Sequence, residues 1–145
     1  MGIPLNILII EDSEDDAVLL LRELKLVGYE PLHKRVETAE DMYAAIAEGQ
    51  WDIIISDFIM PQFSGPAALD LLKKSGLDIP FIIVSGKIGE DIAVEAMKAG
   101  AHDYILKGNL ARLVPAVRRE LREAETRTSK RAAEKELNRH REHLE

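Results

Sequence analysis

The chain has 145 residues, 46% of them hydrophobic, enough to bury one core and so to form one domain. Its net charge of −7 argues against non-specific binding of nucleic acid through a basic face. Cysteine is absent, which removes disulfides and thiolate sites and fits a cytoplasmic setting. No apolar run reaches the ~18 residues that span a bilayer, and Met1 to Asn6 lacks the basic start and apolar core of a secretory signal.

In chain order, Leu5–Ile10 reads as a short buried strand ending in Glu11-Asp12-Ser13-Glu14-Asp15-Asp16. Ser13 suits the cap of the next helix, with Asp16 at the capping-box position. Glu14, Asp15 and Asp16 then lie in the first turn, where the helix dipole favours negative charge. That account leaves out Glu11 and Asp12, which precede the cap at the strand end. Val18, Leu19, Leu20, Leu21, Leu24 and Leu26 make the first helix strongly apolar, and Gly28 closes it. Pro31 to Val36 is a polar strand, suited to a sheet edge. Thr38-Ala-Glu-Asp41 is a second capping-box pattern, opening a helix that runs to Gly49.

Ile53-Ile54-Ile55 is an uninterrupted β-branched run, as expected of a strand buried on both faces. It stops at Asp57, and Pro61 and Gly65 prevent its continuation. Pro66 to Lys74 is predicted as a third helix, Phe81 to Val84 as a strand ending at Ser85-Gly86, and Glu90 to Ala99 as a fourth helix closed by Gly100. Tyr104 to Leu106 is a fifth strand ending at Lys107. Five strands alternating with helices through short connections predict an α/β fold. The expected architecture is a doubly wound five-stranded parallel sheet in the flavodoxin-like order 2-1-3-4-5.

In such a sheet the strand ends share one edge. Glu11-Asp12, Asp57, Ser85 and Lys107 each stand at a different strand end, and ligands of open α/β sheets bind along that edge. Carboxylates brought together repel and raise at least one pKa. A hard divalent cation resolves this, and oxygen donors suit Mg²⁺. Lys107 adds a point charge for an anion, and Ser85 a hydroxyl. Together these groups suit phosphoryl transfer with a carboxylate nucleophile.

On these residues the sequence resembles the receiver domains of two-component response regulators. The matching features are Glu11-Asp12, Asp57 followed by Met60-Pro61 and Gly65, Ser85-Gly86, the run from Ala96 to Tyr104, and Lys107, spanning about residues 5 to 122. The resemblance implies that Asp57 accepts a phosphoryl group from a phosphohistidine of a histidine kinase or phosphotransfer protein. It implies that Asp12, Asp57 and the Ile59 backbone carbonyl bind Mg²⁺, with Glu11 acting through metal-bound water. Ser85 and Lys107 would contact the phosphoryl oxygens, and Tyr104 would be the switch aromatic. Phosphorylation would alter the surface of the fourth helix, fifth strand and fifth helix. Such a protein is a phosphoacceptor and not a turnover enzyme.

Two positions depart from the family. Gly108-Asn109 follows Lys107 where a proline, often cis, is usual. Ile59 offers no side chain to orient a hydrolytic water, so self-dephosphorylation is expected to be slow. A haloacid-dehalogenase-type phosphatase needs a second aspartate two residues beyond the nucleophile, and Ile59 occupies that position. A receiver-like interaction module independent of phosphate is the remaining alternative.

Residues 1–122 are expected to form the receiver and 123–145 a helical extension. Asn109 is expected to cap a short turn, and Pro115 to open a long helix in which no glycine or further proline follows. Its mixed charges suit an exposed helix or a two-stranded coiled coil linking to a further module, and Leu121 and Leu137 are candidates for a homodimer seam. His33, His102, His140 and His143 do not make a metal constellation. No direct contact with nucleic acid or membrane is expected.

Overall fold

The computed structural model describes residues 2–86 and 90–144, without the side chains of residues 90 and 140–144. The strands are β1 (Ile3–Ile10), β2 (Tyr29–Val36), β3 (Ile53–Ser56), β4 (Phe81–Ser85) and β5 (Asp103–Leu106). The helices are α1 (Glu14–Leu26), α2 (Ala39–Glu48), α3 (Gly65–Ser75), α4 (Glu90–Ala99) and α5 (Leu113–Leu144), with a 3₁₀ turn at Lys107–Arg112. All strand pairs are parallel, in the order β2-β1-β3-β4-β5, as expected.

Alternation along each strand divides the core into two layers. Leu5, Ile7, Ile9, Ile53, Ile55, Ile82, Val84 and Ile105 pack with α1 and the start of α5. Leu8, Ile10, Ile54, Phe81 and Ile83 pack on the opposite face with α2, α3 and α4. Fully burying one such side chain stabilises the fold by roughly 1.5–3 kcal/mol before chain entropy is subtracted. Helices on both faces leave the strand ends as the place where polar side chains converge.

The caps hold the helices in register with that edge. Ser13 Oγ accepts the Asp16 N–H at 3.2 Å and Thr38 Oγ1 accepts the Asp41 N–H at 3.1 Å. A third cap, Ser64, accepts the Ala67 N–H at 3.1 Å, and Pro66 occupies the first turn of α3.

Some expectations need correction. β1 begins at Ile3, ahead of Leu5, because Ile3 and Pro4 pair with Tyr29 and Glu30 of β2. On α1 the buried face is Ala17, Leu20, Leu21 and Leu24, while Val18, Leu19 and Leu26 point to solvent. Asn109 lies inside the 3₁₀ turn with non-helical φ −135° and ψ 55°, and does not cap it. α5 begins at Leu113, two residues before Pro115, whose missing N–H is tolerated in a first turn. Leu121 packs against the core layer of α1 and so is not available to a seam, whereas Leu137 is 52% exposed. No cis peptide bond occurs among the described residues, so the Lys107-Gly108 bond is trans.

α5 is continuous from Leu113 to Leu144 and carries no break at residue 122. Beyond that residue it is still tied to the body. Arg127 Nε and Arg131 Nη2 both donate to Asp78 Oδ2, at 2.9 and 2.5 Å. These bonds hold the Asp78 carboxyl below its ordinary range, with the Arg127 hydrogen bond the largest influence.

Candidate functional site

β1 and β3 are neighbours, so their carboxyl ends deliver Glu11, Asp12 and Asp57 to one crevice. Ile10 pairs with Ser56 in register, and the Asp57 N–H donates to the Ile10 carbonyl at 2.8 Å. One oxygen from each of Glu11, Asp12 and Asp57 lies within 4.8 Å of the others. Glu11 is buried, Asp57 half-buried and Asp12 exposed, so the trio opens to solvent on the Asp12 side.

Two of the three acids are held by their own constraints. Glu11 Oε1 accepts the Ser13 N–H at 3.2 Å, and its Oε2 is 3.1 Å from Lys107 Nζ. Asp57 Oδ1 accepts the Phe58 N–H at 2.8 Å, which directs Oδ2 to Lys107 at 3.2 Å. The loop after Asp57 is closed by Gly65 N–H to the Phe58 carbonyl at 2.8 Å and by Met60 N–H to the Phe63 carbonyl at 3.1 Å. These bonds flank Ile59, which bridges to Ser64 and whose side chain is 52% exposed. Gly65 permits the closure. A Cβ there would come within 3.0 Å of the Asp57 carbonyl oxygen.

Burial, with the Asp57 charge and a hydrogen bond to Asp12 adding to it, pushes the Glu11 carboxyl up to about 7 against the pull of Lys107 and the Ser13 N–H. Lys107 moves the other way. Burial alone would lower its pKa, but hydrogen bonds to Asp16 and Glu11 and the charge of Asp57 outweigh burial and raise it. An oxygen-only set with one buried, hard-to-ionise carboxylate is short of positive charge, and Mg²⁺ fits that donor set.

Ser85 is buried at the end of β4, opposite Leu106 in register and therefore beside Lys107. Tyr104 pairs with Ile83 on β5 and packs against the core layer of α3 and α4, partly buried. Thus Glu11, Asp12 and Asp57 converge, Lys107 reaches Glu11 and Asp57, and strand register brings Ser85 and Tyr104 to the same edge.

One functional neighbour escaped the sequence reading. Asp16 Oδ2 lies 2.7 Å from Lys107 Nζ, the shortest of the lysine's three carboxylate contacts among the described residues. Its capping position explained it sufficiently, and so concealed it. The signal was its place in the first turn of α1, because helical side chains lean toward the helix N-terminus, here the sheet edge. Among the histidines with described side chains, His102 Nδ1 accepts the Phe81 N–H at 3.0 Å, a structural role. His140 and His143 fall outside the described side chains.

The model of the response regulator receiver domain matches residues 7–118. The chain belongs to the response regulator receiver family. Among receiver relatives, the phosphate regulon transcriptional regulatory protein PhoB of Pseudomonas aeruginosa is 33% identical over 104 residues, 70% of this chain and 44% of PhoB. Transcriptional regulatory protein PrrA of Mycobacterium tuberculosis is 34% identical over 118 residues, 81% of this chain and 50% of PrrA. This receiver chain therefore spans about half the length of the curated relatives it matches. Among solved receivers, the signal receiver domain of a signal transduction histidine kinase from Syntrophus aciditrophicus superposes with a TM-score of 0.68 at 31% identity, covering 82% of this chain and 91% of that one. Membership in the family carries with it a place in two-component signalling. No helix among the described residues is long and apolar enough to cross a membrane.

Proposed function

We propose that Asp57 is the phosphoacceptor of this receiver. The observation that carries the reading is the convergence of Glu11, Asp12 and Asp57 within 4.8 Å of one another, with Lys107 Nζ 3.2 Å from Asp57. Asp12, Asp57 and the Ile59 carbonyl would hold Mg²⁺, with Glu11 reaching it through water. The ion supplies positive charge that offsets the crowded acids and the incoming phosphoryl oxygens.

An Asp57 carboxylate oxygen attacks phosphorus, the P–N bond of the donor phosphohistidine breaks, and the leaving imidazole nitrogen takes up a proton. Lys107 offers its ammonium to the charge that arrives with the phosphoryl group, and Ser85 offers its hydroxyl. A shift of Ser85 toward the phosphoryl group would open room for Tyr104, which would change the face made by α4, β5 and α5. Asp57 itself carries the phosphoryl group after transfer, so the protein works as a phosphoacceptor and not as a turnover enzyme.

The donor is a histidine kinase or phosphotransfer protein, and the setting is cytoplasmic. Residues up to about 122 form the receiver. The helix beyond them links to an output module or pairs with the same helix of a second copy. The named relatives include transcriptional regulators and the receiver of a histidine kinase, and both kinds of assembly fit this chain.

Intact mass after incubation with acetyl phosphate or phosphoramidate and Mg²⁺ tests the acceptor. Wild type should gain about 80 Da, the mass of one phosphoryl group, and only with the metal; Asp57→Ala should gain nothing. An equal gain in Asp57→Ala would move the acceptor elsewhere. No gain in either protein would favour a phosphate-independent interaction module.

A further inference from the structure

We propose that Asp16 is a positioning residue for Lys107: it holds the ammonium on the α1 side of the site and competes for it with an incoming phosphoryl group. The proposal rests on Asp57 being the phosphoryl site. The lysine sits 2.7 Å from Asp16, 3.1 Å from Glu11 and 3.2 Å from Asp57. Its closest carboxylate is thus the one outside the acidic trio.

Asp16 is placed there by its helix. Its N–H is fixed on Ser13 Oγ at 3.2 Å. In a reciprocal capping box its carboxylate would accept the Ser13 N–H. That N–H goes instead to Glu11 Oε1 at 3.2 Å. Glu11 therefore completes the cap, and the Asp16 carboxylate turns to Lys107, 91 residues away in sequence.

An ammonium has three protons. Three carboxylates lie within ion-pair distance of this one, so a phosphoryl oxygen competes with them for its protons. Glu11 and Asp57 belong to the trio that a cation would engage. Asp16 lies outside it and keeps its hold on Lys107 whether or not the trio is neutralised. Its negative charge also repels the entering anion. Both effects act in one direction: Asp16 keeps the lysine ordered before phosphorylation and weakens the grip on the phosphoryl group afterwards.

The test uses the full chain and beryllofluoride, an inert mimic of the phosphoryl group, at Mg²⁺ concentrations shown to saturate each variant. Binding is followed by backbone amide chemical shifts. Asp16→Asn keeps the volume and the capping N–H but removes the charge. Asp15→Asn is the control, because exposed Asp15 carries the same charge in the same turn. Asp16→Asn should bind beryllofluoride about three- to tenfold more tightly than wild type, and Asp15→Asn within about twofold of it. Asp16→Ser, which also keeps the N–H, should move the affinity the same way.

Equal tightening in the Asp15 and Asp16 variants would reduce the effect to net charge and overturn the positioning role. Unchanged or weaker binding in Asp16→Asn would overturn it too. If wild type itself fails to bind, the reading of Asp57 falls and takes this proposal with it. Wild-type binding with no response to Asp16 removes the positioning role alone.

Discussion

Glu11→Gln offers a direct measure of how crowded the acidic crevice is without a cation. Glu11 is only 2% exposed, and its carboxyl is raised from an ordinary 4.5 to about 7, chiefly by burial. The folded state therefore holds a proton that the unfolded chain has released between those two values. The sign follows from linkage: this group's contribution is fully present below about pH 4.5 and is lost as pH rises through about 7. Between about pH 5 and about pH 8, a single group with these two values would destabilise the fold by on the order of 2 kcal/mol. The neutral amide of the variant has no such titration. The stability difference between wild type and Glu11→Gln, measured by urea unfolding in EDTA, should therefore shift in favour of the variant by about 2 kcal/mol over that range. In a chain of this size that equals a relative rise in Tm of about 4–8 °C. Comparing the two pH values cancels pH-independent effects of losing the Lys107 contact. A difference that stays constant from pH 5 to pH 8 would refute the reasoning, as would a shift favouring wild type.

Ile59→Asn places a polar side chain where Ile59 is half exposed beside Asp57. The wild-type phosphoryl group should persist for on the order of minutes or longer, and the variant should lose it several times faster by positioning a water; a wild-type half-life of seconds by intact mass would count against this. Asp78→Ala removes the carboxylate that binds both Arg127 and Arg131. Because the pair is partly exposed, the loss should be no more than about 1 kcal/mol, and it should appear as faster amide hydrogen exchange around residues 124–131 while the sheet is unaffected. Unchanged exchange there would mean the arginines do not hold the helix. With Leu121 packed against the core, Leu137 is the exposed leucine of α5 among the described side chains, so Leu137→Glu should lower the sedimentation mass from dimer to monomer; a monomeric wild type would remove the seam.

The sheet order and the acidic trio were legible because each depends on short-range pattern. β-branched runs such as Ile53-Ile54-Ile55 mark buried strands whatever surrounds them, and the alternation of β and α segments restricts their order. Glu11, Asp12, Asp57, Ser85 and Lys107 could be grouped because strand ends of a parallel sheet share an edge. Side chains that meet across the fold were not legible. Asp16 had a complete local explanation as a cap residue, and only the distance to Lys107 exposes its second role. Asp78 and the two arginines it binds are about fifty residues apart, and nothing local to either marks the pairing. Helical pattern also overstated the burial of Val18, Leu19 and Leu26, because three apolar faces of α1 compete and the sheet can cover only one.

The Asp78 clamp gives the chain an angular register. Arg127 and Arg131 are one turn apart on an unbroken helix, so a single carboxylate pins that helix against rotation about its axis. Beyond the pin, each residue advances the helix by about 1.5 Å and turns it by about 100°. Whatever body rides on this helix is thereby given a fixed azimuth relative to Asp57. Inserting one residue after Arg131 would swing that body through more than a quarter turn, whereas inserting seven would leave its facing within about 20° of the original. Any module joined to the end of such a helix would meet a side of the receiver set by the helix's length counted in turns.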